Sequence, residues 1–292
     1  MRRILVTGTS GFLGHYVVEE LLNNLDFEVI AIGGRSKDQS NTLPQNERLS
    51  FYSLDGLFIN ELKGIDTVIN CAFARSNDAG LLAQAFDFTE QLIWRLEELR
   101  VRSVINISSQ GVYQRLPKGE LSTEDSPIEP VDLYSMAKYA TEKLFSVSSI
   151  PYVTNIRLAS LMMPQRFLSF FVRKAMRDEP FTVTAPHQYA ALLDVKDAAS
   201  GLVAITNIPP DKRAKVYNLG IGTQYSLLEY ALSVKEVGSK LGHHVTFEIA
   251  DNKTESNSGM DCSRLMDDSG WKPTVFLNEM VSALFKDAEL GL

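Results

Sequence analysis

The sequence predicts an α/β protein with a doubly wound parallel sheet and a smaller C-terminal region. Strand-like and helix-like segments alternate through the first two thirds of the chain, which is typical of a parallel sheet covered by helices on both faces. A glycine-rich turn at residues 7–14 separates the first apolar strand from the first helical segment. The 292 residues, 45% of them hydrophobic, suffice to bury one large core.

Short apolar runs bounded by turn residues are the candidate strands of this sheet. They alternate with longer segments in which apolar residues recur at helical spacing. The strands are expected at residues 4–7, 28–32, 49–53, 67–70, 104–107 and 153–157, and the helices at 12–25, 81–99 and 133–147.

The pattern becomes less regular from about residue 163 onwards. Mixed short segments surround two apolar stretches, at residues 192–195 and 216–220. Two later helices are expected at residues 227–241 and 277–286 from their apolar periodicity.

Composition and charge exclude several classes of function. The net charge of −7 and the lack of a Lys/Arg run argue against a nucleic-acid partner. Cys71 and Cys262 lie outside any CxxC or Cys/His cluster, so neither a metal site nor a disulfide framework is predicted. The apolar N-terminal stretch ends at Gly8, too early for a signal peptide, and no segment reaches membrane-spanning length. We therefore expect a cytoplasmic protein without a membrane partner.

The glycine-rich turn has the context of a dinucleotide-binding site. Glycines let the backbone approach a pyrophosphate, and the following helix N-terminus supplies amide donors. The alternative is a tight strand-to-helix turn that needs glycine for its own geometry. The residues predicted to bind the cofactor here are Gly8, Ser10, Gly11, Phe12, Leu13 and Gly14.

This turn makes the sheet a Rossmann-type sheet and suggests a division of the chain. We predict a dinucleotide-binding Rossmann domain at residues 1–162. Residues 163–292 are expected to form mainly a substrate-binding region, with segments around 192–220 returning to the Rossmann domain.

The end of the second predicted strand bears on the choice of cofactor. An acidic residue at this place would bind the hydroxyls of the adenosine ribose. The sequence instead continues with Gly33, Gly34, Arg35 and Ser36. Arg35 can bind a 2′-phosphate through its fork of donors, and Ser36 can add a hydroxyl. This predicts NADP, with NAD as the alternative if Arg35 is only a solvated loop residue.

Tyr134 and Lys138 are the candidates for proton transfer. They lie four residues apart in a helical segment, so both side chains project from one face. A neighbouring ammonium lowers the pKa of a tyrosine, and Lys138 could also hydrogen-bond the nicotinamide ribose. Ser109 follows the strand at 104–107 and could hold the substrate oxygen. The alternative for Tyr134 and Lys138 is an ordinary surface pair, because this spacing often arises by chance.

These motifs together resemble the extended short-chain dehydrogenase/reductases, the NAD-dependent epimerase/dehydratase family. The resemblance rests on TGTSGFLG at 7–14, on SSQGVY at 108–113 and on the Tyr134/Lys138 pair, and it extends over nearly the whole chain. It implies that Ser109, Tyr134 and Lys138 are catalytic. It also implies that Asp55 meets the adenine and that Ala72 lines the cofactor.

Departures from the family pattern bear on the substrate. Gln110 and Gly111 stand where the dehydratase branch carries an acidic pair, which disfavours dehydration. Ala190 stands near the place where nucleotide-sugar enzymes usually hold the diphosphate with an arginine. The expected function is therefore an NAD(P)-dependent oxidoreductase acting on a carbonyl or secondary alcohol of a sugar or sugar-nucleotide-like small molecule.

Two alternatives remain open. One is a nucleotide-sugar epimerase that keeps its cofactor tightly bound, and the other is a non-catalytic NADP-sensing regulator. The helices expected at 81–99 and 133–147 resemble the family's dimer interface, which makes a homodimer a further expectation.

Overall fold

The computed structural model describes residues 1–34, 43–59, 62–117, 119–163, 166–250 and 257–290. The strands are Arg2–Thr7 (β1), Phe27–Ile32 (β2), Leu49–Tyr52 (β3), Thr67–Asn70 (β4), Ser103–Ser109 (β5), Tyr152–Leu158 (β6), Ser160–Leu161 (β7), Phe181–Thr184 (β8), Tyr189–Ala190 (β9), Leu192–Leu193 (β10), Val216–Leu219 (β11), Tyr225–Ser226 (β12) and Phe247–Ala250 (β13). The helices are Phe12–Asn23 (α1), Leu54–Ile59 (α2), Ala79–Glu98 (α3), Leu133–Ser146 (α4), Phe167–Ala175 (α5), Val195–Asn207 (α6), Leu227–Lys240 (α7), Ser263–Ser269 (α8) and Leu277–Glu289 (α9).

The main sheet has seven parallel strands in the order β11-β6-β5-β4-β1-β2-β3. The chain winds outward from β1 through β2 and β3, and it then continues from β4 on the other side of β1. The strand order therefore reverses between β1 and β4, and ligands of such sheets bind beyond the carboxyl ends of the strands at this point.

Helices cover both faces of the sheet. Ile4 and Val6 of β1 point into a buried cluster shared with residues of α1 and α6, such as Val17 and Leu202. Leu5 points to the opposite face, where a second cluster contains Leu92 and other residues of α3. Alternate side chains of one strand thus serve two cores, and the predicted doubly wound α/β fold is confirmed.

The six predicted strands and the three predicted N-terminal helices are all present, with ends displaced by a few residues. Helix α6 was not predicted, because Gly201 interrupts its helical pattern. A Cβ at this glycine would lie 2.5 Å from Leu219 Cδ1 and 3.2 Å from a ring atom of Trp271. Close packing of α6 against β11 and Trp271 therefore requires the residue that weakens the local helix signal.

A further apolar cluster lies among residues that follow the sheet strands β1–β6 in sequence. It joins α5, β8, α7 and α9, and Phe171 stacks on Phe181 with ring centroids 4.4 Å apart. Tyr230 and Phe285 are fully enclosed within it. The strand β11, in contrast, lies at the edge of the main sheet. The proposed division of the chain at residue 162 stays a prediction.

A row of buried amides crosses the centre of the sheet. Thr7 Oγ1 donates to Asn70 Oδ1 at 2.7 Å, and Asn70 Nδ2 donates to Asn106 Oδ1 at 3.0 Å. Asn106 Nδ2 then donates to Asn155 Oδ1 at 2.9 Å. This asparagine ladder links β1, β4, β5 and β6 side by side, so it favours a single register among the strands that carry the site.

Candidate active site

A cavity of about 690 Å³ opens where the carboxyl ends of β1, β4, β5 and β6 meet. Its volume lies within the range of small-molecule sites in proteins. The glycine-rich turn forms one wall, and the first turn of α4 forms another. Loop segments after β4 and β6 complete the lining, including residues 75–77 and 158–161.

The glycine-rich turn is packed too closely for side chains. Gly8 has φ +71°, and a Cβ there would lie 2.7 Å from the backbone nitrogen of Ala72. A Cβ at Gly14 would lie 2.3 Å from the carbonyl oxygen of Gly8. Gly8 therefore allows the backbone after β1 to lie against the segment after β4, and Gly14 allows the start of α1 to lie against the turn itself.

The N-terminus of α1 fits the pyrophosphate of a dinucleotide. Gly11 is its N-cap, no side chain caps the helix, and its first turn contains no acidic residue. Phe12, Leu13 and Gly14 line the cavity, so the uncapped amides face it. Thr9 Oγ1 is buried without a partner among the described residues. A donor-rich backbone cradle of this kind matches an anionic cofactor.

The adenosine side of the predicted cofactor site is described only in part. Ser10 Oγ accepts a hydrogen bond of 2.6 Å from Gly34 N, which joins the glycine-rich turn to the end of β2. Arg35 and Ser36, the residues predicted to select NADP, lie outside the described residues.

Asp55 and Ala72 also lie at this edge of the sheet. Asp55 is exposed in the first turn of α2, directly after β3, and it stands outside the lining of the cavity. Ala72 follows β4, and its backbone packs against Gly8.

The three predicted catalytic residues meet at one side of the cavity. Ser109 is the last residue of β5, and its Oγ accepts a hydrogen bond of 3.1 Å from Gly111 N. Tyr134 lies in the first turn of α4, where its backbone nitrogen donates to Asn77 Oδ1 at 2.9 Å. The Ser109 hydroxyl lies near enough to the Tyr134 phenol to affect its pKa. Lys138 lies one turn further along α4.

Opposing effects act on the Tyr134 phenol. Burial raises its pKa, and the Asp132 carboxylate adds to that rise. The Arg75 guanidinium lowers the pKa most among the favourable effects, followed by the Ser109 hydroxyl and by Arg166. The net pKa lies above the ordinary value, so the phenol is protonated at neutral pH before a cofactor or substrate adds charge.

Lys138 is buried beneath the phenol. Its Nζ donates a hydrogen bond of 2.8 Å to the carbonyl oxygen of Ile107 and lies 4.2 Å from the centre of the Phe73 ring. Burial lowers the pKa of this ammonium to about 7. From the sequence we expected Lys138 to lower the pKa of Tyr134. In the structure the cations that lower it are the two arginines, because the lysine is largely desolvated and bonded to the backbone.

A buried ion pair behind the site was missed from the sequence. Glu142 accepts hydrogen bonds from Arg157 Nη2 at 3.0 Å and from Arg157 Nε at 3.1 Å. Ser108 Oγ donates to the same carboxylate at 2.5 Å. The pair fastens α4 to β5 and β6. A sequence signal existed in the position of Glu142, one turn after Lys138 on the same helix face.

Gln110 lines a smaller cavity of about 170 Å³, which shares Gly111 and Asp132 with the main cavity. Its Nε2 donates to Ser160 Oγ at 2.9 Å, and its Oε1 is buried without a partner among the described residues. An amide, not a carboxylate, therefore stands at position 110, where a dehydratase is expected to carry one member of its acidic pair.

The described part of the chain contains no group of three His, Cys, Asp or Glu residues arranged to hold a metal ion. Within the same residues, no helix combines the length and apolar character that crossing a membrane requires.

Comparisons with known proteins agree with this geometry. The model of the NAD dependent epimerase/dehydratase family matches residues 4–220. Sterol-4-alpha-carboxylate 3-dehydrogenase, decarboxylating, of Dictyostelium discoideum is 26% identical over 222 residues, which span 69% of this chain and 66% of that protein. UDP-glucose 4-epimerase of Bacillus subtilis (strain 168) is 24% identical over 329 residues, covering 95% of this chain and 94% of that protein.

Solved structures share the whole fold. UDP-glucuronic acid 4-epimerase from Bacillus cereus, in complex with UDP-glucuronic acid and NAD, superposes with a TM-score of 0.81. The two chains are 20% identical, and the superposition covers 99% of this chain and 100% of that chain. At this identity the likeness shows the fold alone.

Proposed function

The chain belongs to the NAD-dependent epimerase/dehydratase family, and on that premise we propose that it is an NAD(P)-dependent oxidoreductase acting at a carbonyl or secondary alcohol. One observation carries the proposal. Ser109, Tyr134 and Lys138 line the same cavity as the glycine-rich turn. A proton-transfer pair beside a dinucleotide cradle is the arrangement that hydride exchange at an alcohol carbon requires.

Each catalytic side chain has a defined role in this proposal. A nicotinamide dinucleotide, when bound, supplies hydride acceptance and donation at the substrate carbon. Ser109 orients the substrate oxygen, and Tyr134 takes the hydroxyl proton in oxidation or returns it in reduction. Oxidation thus removes one hydride and one proton from the alcohol and leaves a carbonyl. Lys138 would hold the nicotinamide ribose through Nζ.

Residues of the turn and of the strand ends would hold the cofactor. The backbones of Gly8 and of residues 10–14 would hold the pyrophosphate, Asp55 would meet the adenine, and Ala72 would line the cofactor. Arg35 and Ser36 would bind a 2′-phosphate, so NADP is the preferred cofactor in this proposal. Support comes from the end of β2, where Gly33 and Gly34 follow without a carboxylate. Titration with both cofactors tests this, and tighter binding of NAD would overturn it.

Replacing Tyr134 by phenylalanine tests the proposed mechanism. Tyr134→Phe removes the proton donor and acceptor, and we expect kcat to fall by about 100-fold or more. Dissociation constants for the cofactor should stay within about twofold. Tyr139→Phe is the matched control, because this half-buried tyrosine lies on the same helix outside the cavity. Normal turnover by Tyr134→Phe on a substrate that the wild type converts would refute the assignment.

The proposed substrate is a sugar or a nucleotide sugar. The relatives described above are named for a sterol carboxylate, for UDP-glucose and for UDP-glucuronic acid. Neutral and acidic substrates both occur among them. We assign substrate contacts to the lining residues after β6 and to the region from 163 onwards.

An epimerase is the second candidate, because the fold matches such an enzyme over its full length. An epimerase oxidises one carbon and returns the hydride to its opposite face, so the cofactor is not consumed. Cofactor that co-purifies with the protein and persists through turnover would favour this candidate. A non-catalytic regulator is disfavoured, since a sensor needs no Ser109, Tyr134 and Lys138 together in the cofactor cavity.

We further propose a cytoplasmic homodimer formed through α3 and α4. Trp94, Leu133 and Met136 of these helices are 58%, 50% and 48% exposed. Cys71 and Cys262 are both free thiols, which fits a reducing compartment. Light scattering of the wild type and of Trp94→Glu tests the assembly, and a monomeric wild type would refute it.

A further inference from the structure

Positively charged side chains line the cavity, and two of them have no role in the proton transfer proposed for Tyr134. Arg75 and Arg166 line it together with Lys138. Asp132 is the acidic member among the described lining residues. Its Oδ1 accepts a hydrogen bond of 2.8 Å from Ser135 N, so this carboxylate caps α4. The described lining therefore has two guanidinium groups and one carboxylate, and that carboxylate is bonded to the end of α4.

Both arginines are held against Met163. Arg75 follows β4, and its Nη1 lies 2.9 Å from Met163 Sδ. Arg166 precedes α5, and its backbone nitrogen donates to the Met163 carbonyl oxygen at 2.9 Å. The Arg166 Nε donates to Leu161 O at 3.3 Å. A thioether is a weak acceptor, so most of the donors on the two guanidinium groups remain available for a ligand.

The two charges are close enough to repel each other. Burial lowers the pKa of Arg166 first, and Arg75 lowers it further. Both line the cavity together with Tyr134, and both act on the pKa of its phenol. No ion pair joins either arginine to a carboxylate among the described residues. An anion between them would relieve the repulsion and accept several charge-assisted hydrogen bonds.

We propose that Arg75 and Arg166 bind a carboxylate carried by the substrate close to the carbon that Ser109 and Tyr134 oxidise or reduce. This inference rests on the proposed function, because Tyr134 defines where the reacting carbon lies. A carboxylate is planar and accepts two guanidinium forks at once. A nucleotide diphosphate is also an anion that accepts hydrogen bonds from guanidinium groups. It is attached elsewhere on the sugar, so an experiment can distinguish its binding from that of the carboxylate.

Matched ligands separate the carboxylate from the rest of the substrate. UDP-glucuronic acid and UDP-glucose differ at the carboxylate and share the diphosphate, so their dissociation constants are compared by calorimetry with the cofactor-bound enzyme. We expect the wild type to bind the acid at least about tenfold more tightly. Arg75→Gln and Arg166→Gln should each remove most of that preference while changing the affinity for UDP-glucose by less than about twofold.

Control variants keep the result interpretable. Arg102→Gln removes an exposed arginine before β5, at the opposite edge of the sheet, and should change neither affinity. Arg75→Lys and Arg166→Lys keep the charge without the fork, and we expect them to retain part of the preference. Thermal unfolding of each variant establishes that it is folded.

Four outcomes would overturn the carboxylate site. The wild type could bind both ligands alike or bind neither, or the glutamine variants could lose both ligands equally, as diphosphate binding requires. The variants could also lose cofactor affinity by the same factor, which would assign the arginines to the cofactor. Tyr134→Phe separates this test from the proposed function: it should retain the preference for the acid and lose turnover, and retained turnover would defeat the function alone.

Discussion

At the scale of single residues, Lys138 carries an ammonium group that the fold buries beneath the active site. Its exposed fraction is 5%, and burial lowers its pKa from 10.5 to about 7. The folded state therefore binds this proton less tightly than the unfolded chain does. Burial of the charged lysine therefore lowers the free energy of unfolding by its full amount below pH 7. This destabilisation declines as the pH rises from 7 to 10.5 and is absent above pH 10.5.

Lys138→Met should therefore stabilise the cofactor-free protein. Methionine fills a similar volume without a buried charge, and we expect the free energy of unfolding at pH 6 to rise by about 2 kcal/mol. The gain should disappear by about pH 10.5, where the lost hydrogen bond to Ile107 remains as a small cost. Urea unfolding across this range measures the difference, and a gain that does not change with pH would contradict the explanation.

At the scale of elements, the asparagine ladder holds the central strands in register. Asn106→Ala removes its middle member and leaves polar atoms of Asn70 and Asn155 buried without partners. We expect the free energy of unfolding to fall by about 2–4 kcal/mol. Asn23→Ala, at an exposed position of α1, should stay within about 0.5 kcal/mol. Equal effects of the two substitutions in urea unfolding would show that the ladder contributes nothing.

The position of α4 depends on the buried pair of Glu142 and Arg157. Glu142→Gln leaves the guanidinium without its counter-charge, so we expect a loss of about 3 kcal/mol in unfolding free energy. The double variant Glu142→Leu/Arg157→Met removes both charges and should lose less than the single variant. A double-mutant cycle that uses Glu142→Leu and Arg157→Met as its single variants measures the coupling. A double variant as unstable as the sum of the single variants would contradict a specific pair.

At the scale of the whole molecule, the cluster of α5, β8, α7 and α9 is expected to serve the substrate and not the cofactor. Phe285 is fully buried there, and Phe285→Ala should lower the free energy of unfolding by about 3–5 kcal/mol. The dissociation constant of the cofactor should stay unchanged while KM for the substrate rises. Phe276→Ala, at a 40% exposed side chain, is the control. Weakened cofactor binding would contradict the division of the chain at residue 162.

Local patterns predicted much of the fold and the core of the site. The alternation of strands and helices, the turn at residues 7–14 and the spacing of Tyr134 and Lys138 depend on neighbours a few residues apart. Helix α6 was not predicted, because glycine is needed at position 201 for close packing against β11 and Trp271, which are distant in the sequence. A single sequence does not reveal such contacts.

The sequence by itself determined the fold class, the family and the candidate proton-transfer residues, because short-range spacing and glycine requirements encode them. Tertiary structure alone decided which charges surround the Tyr134 phenol. Arg75 and Arg166 belong to loops far apart along the chain, and only the parallel sheet brings their strand ends together. The pKa of the phenol and the charge that the cavity offers a substrate therefore follow from long-range packing.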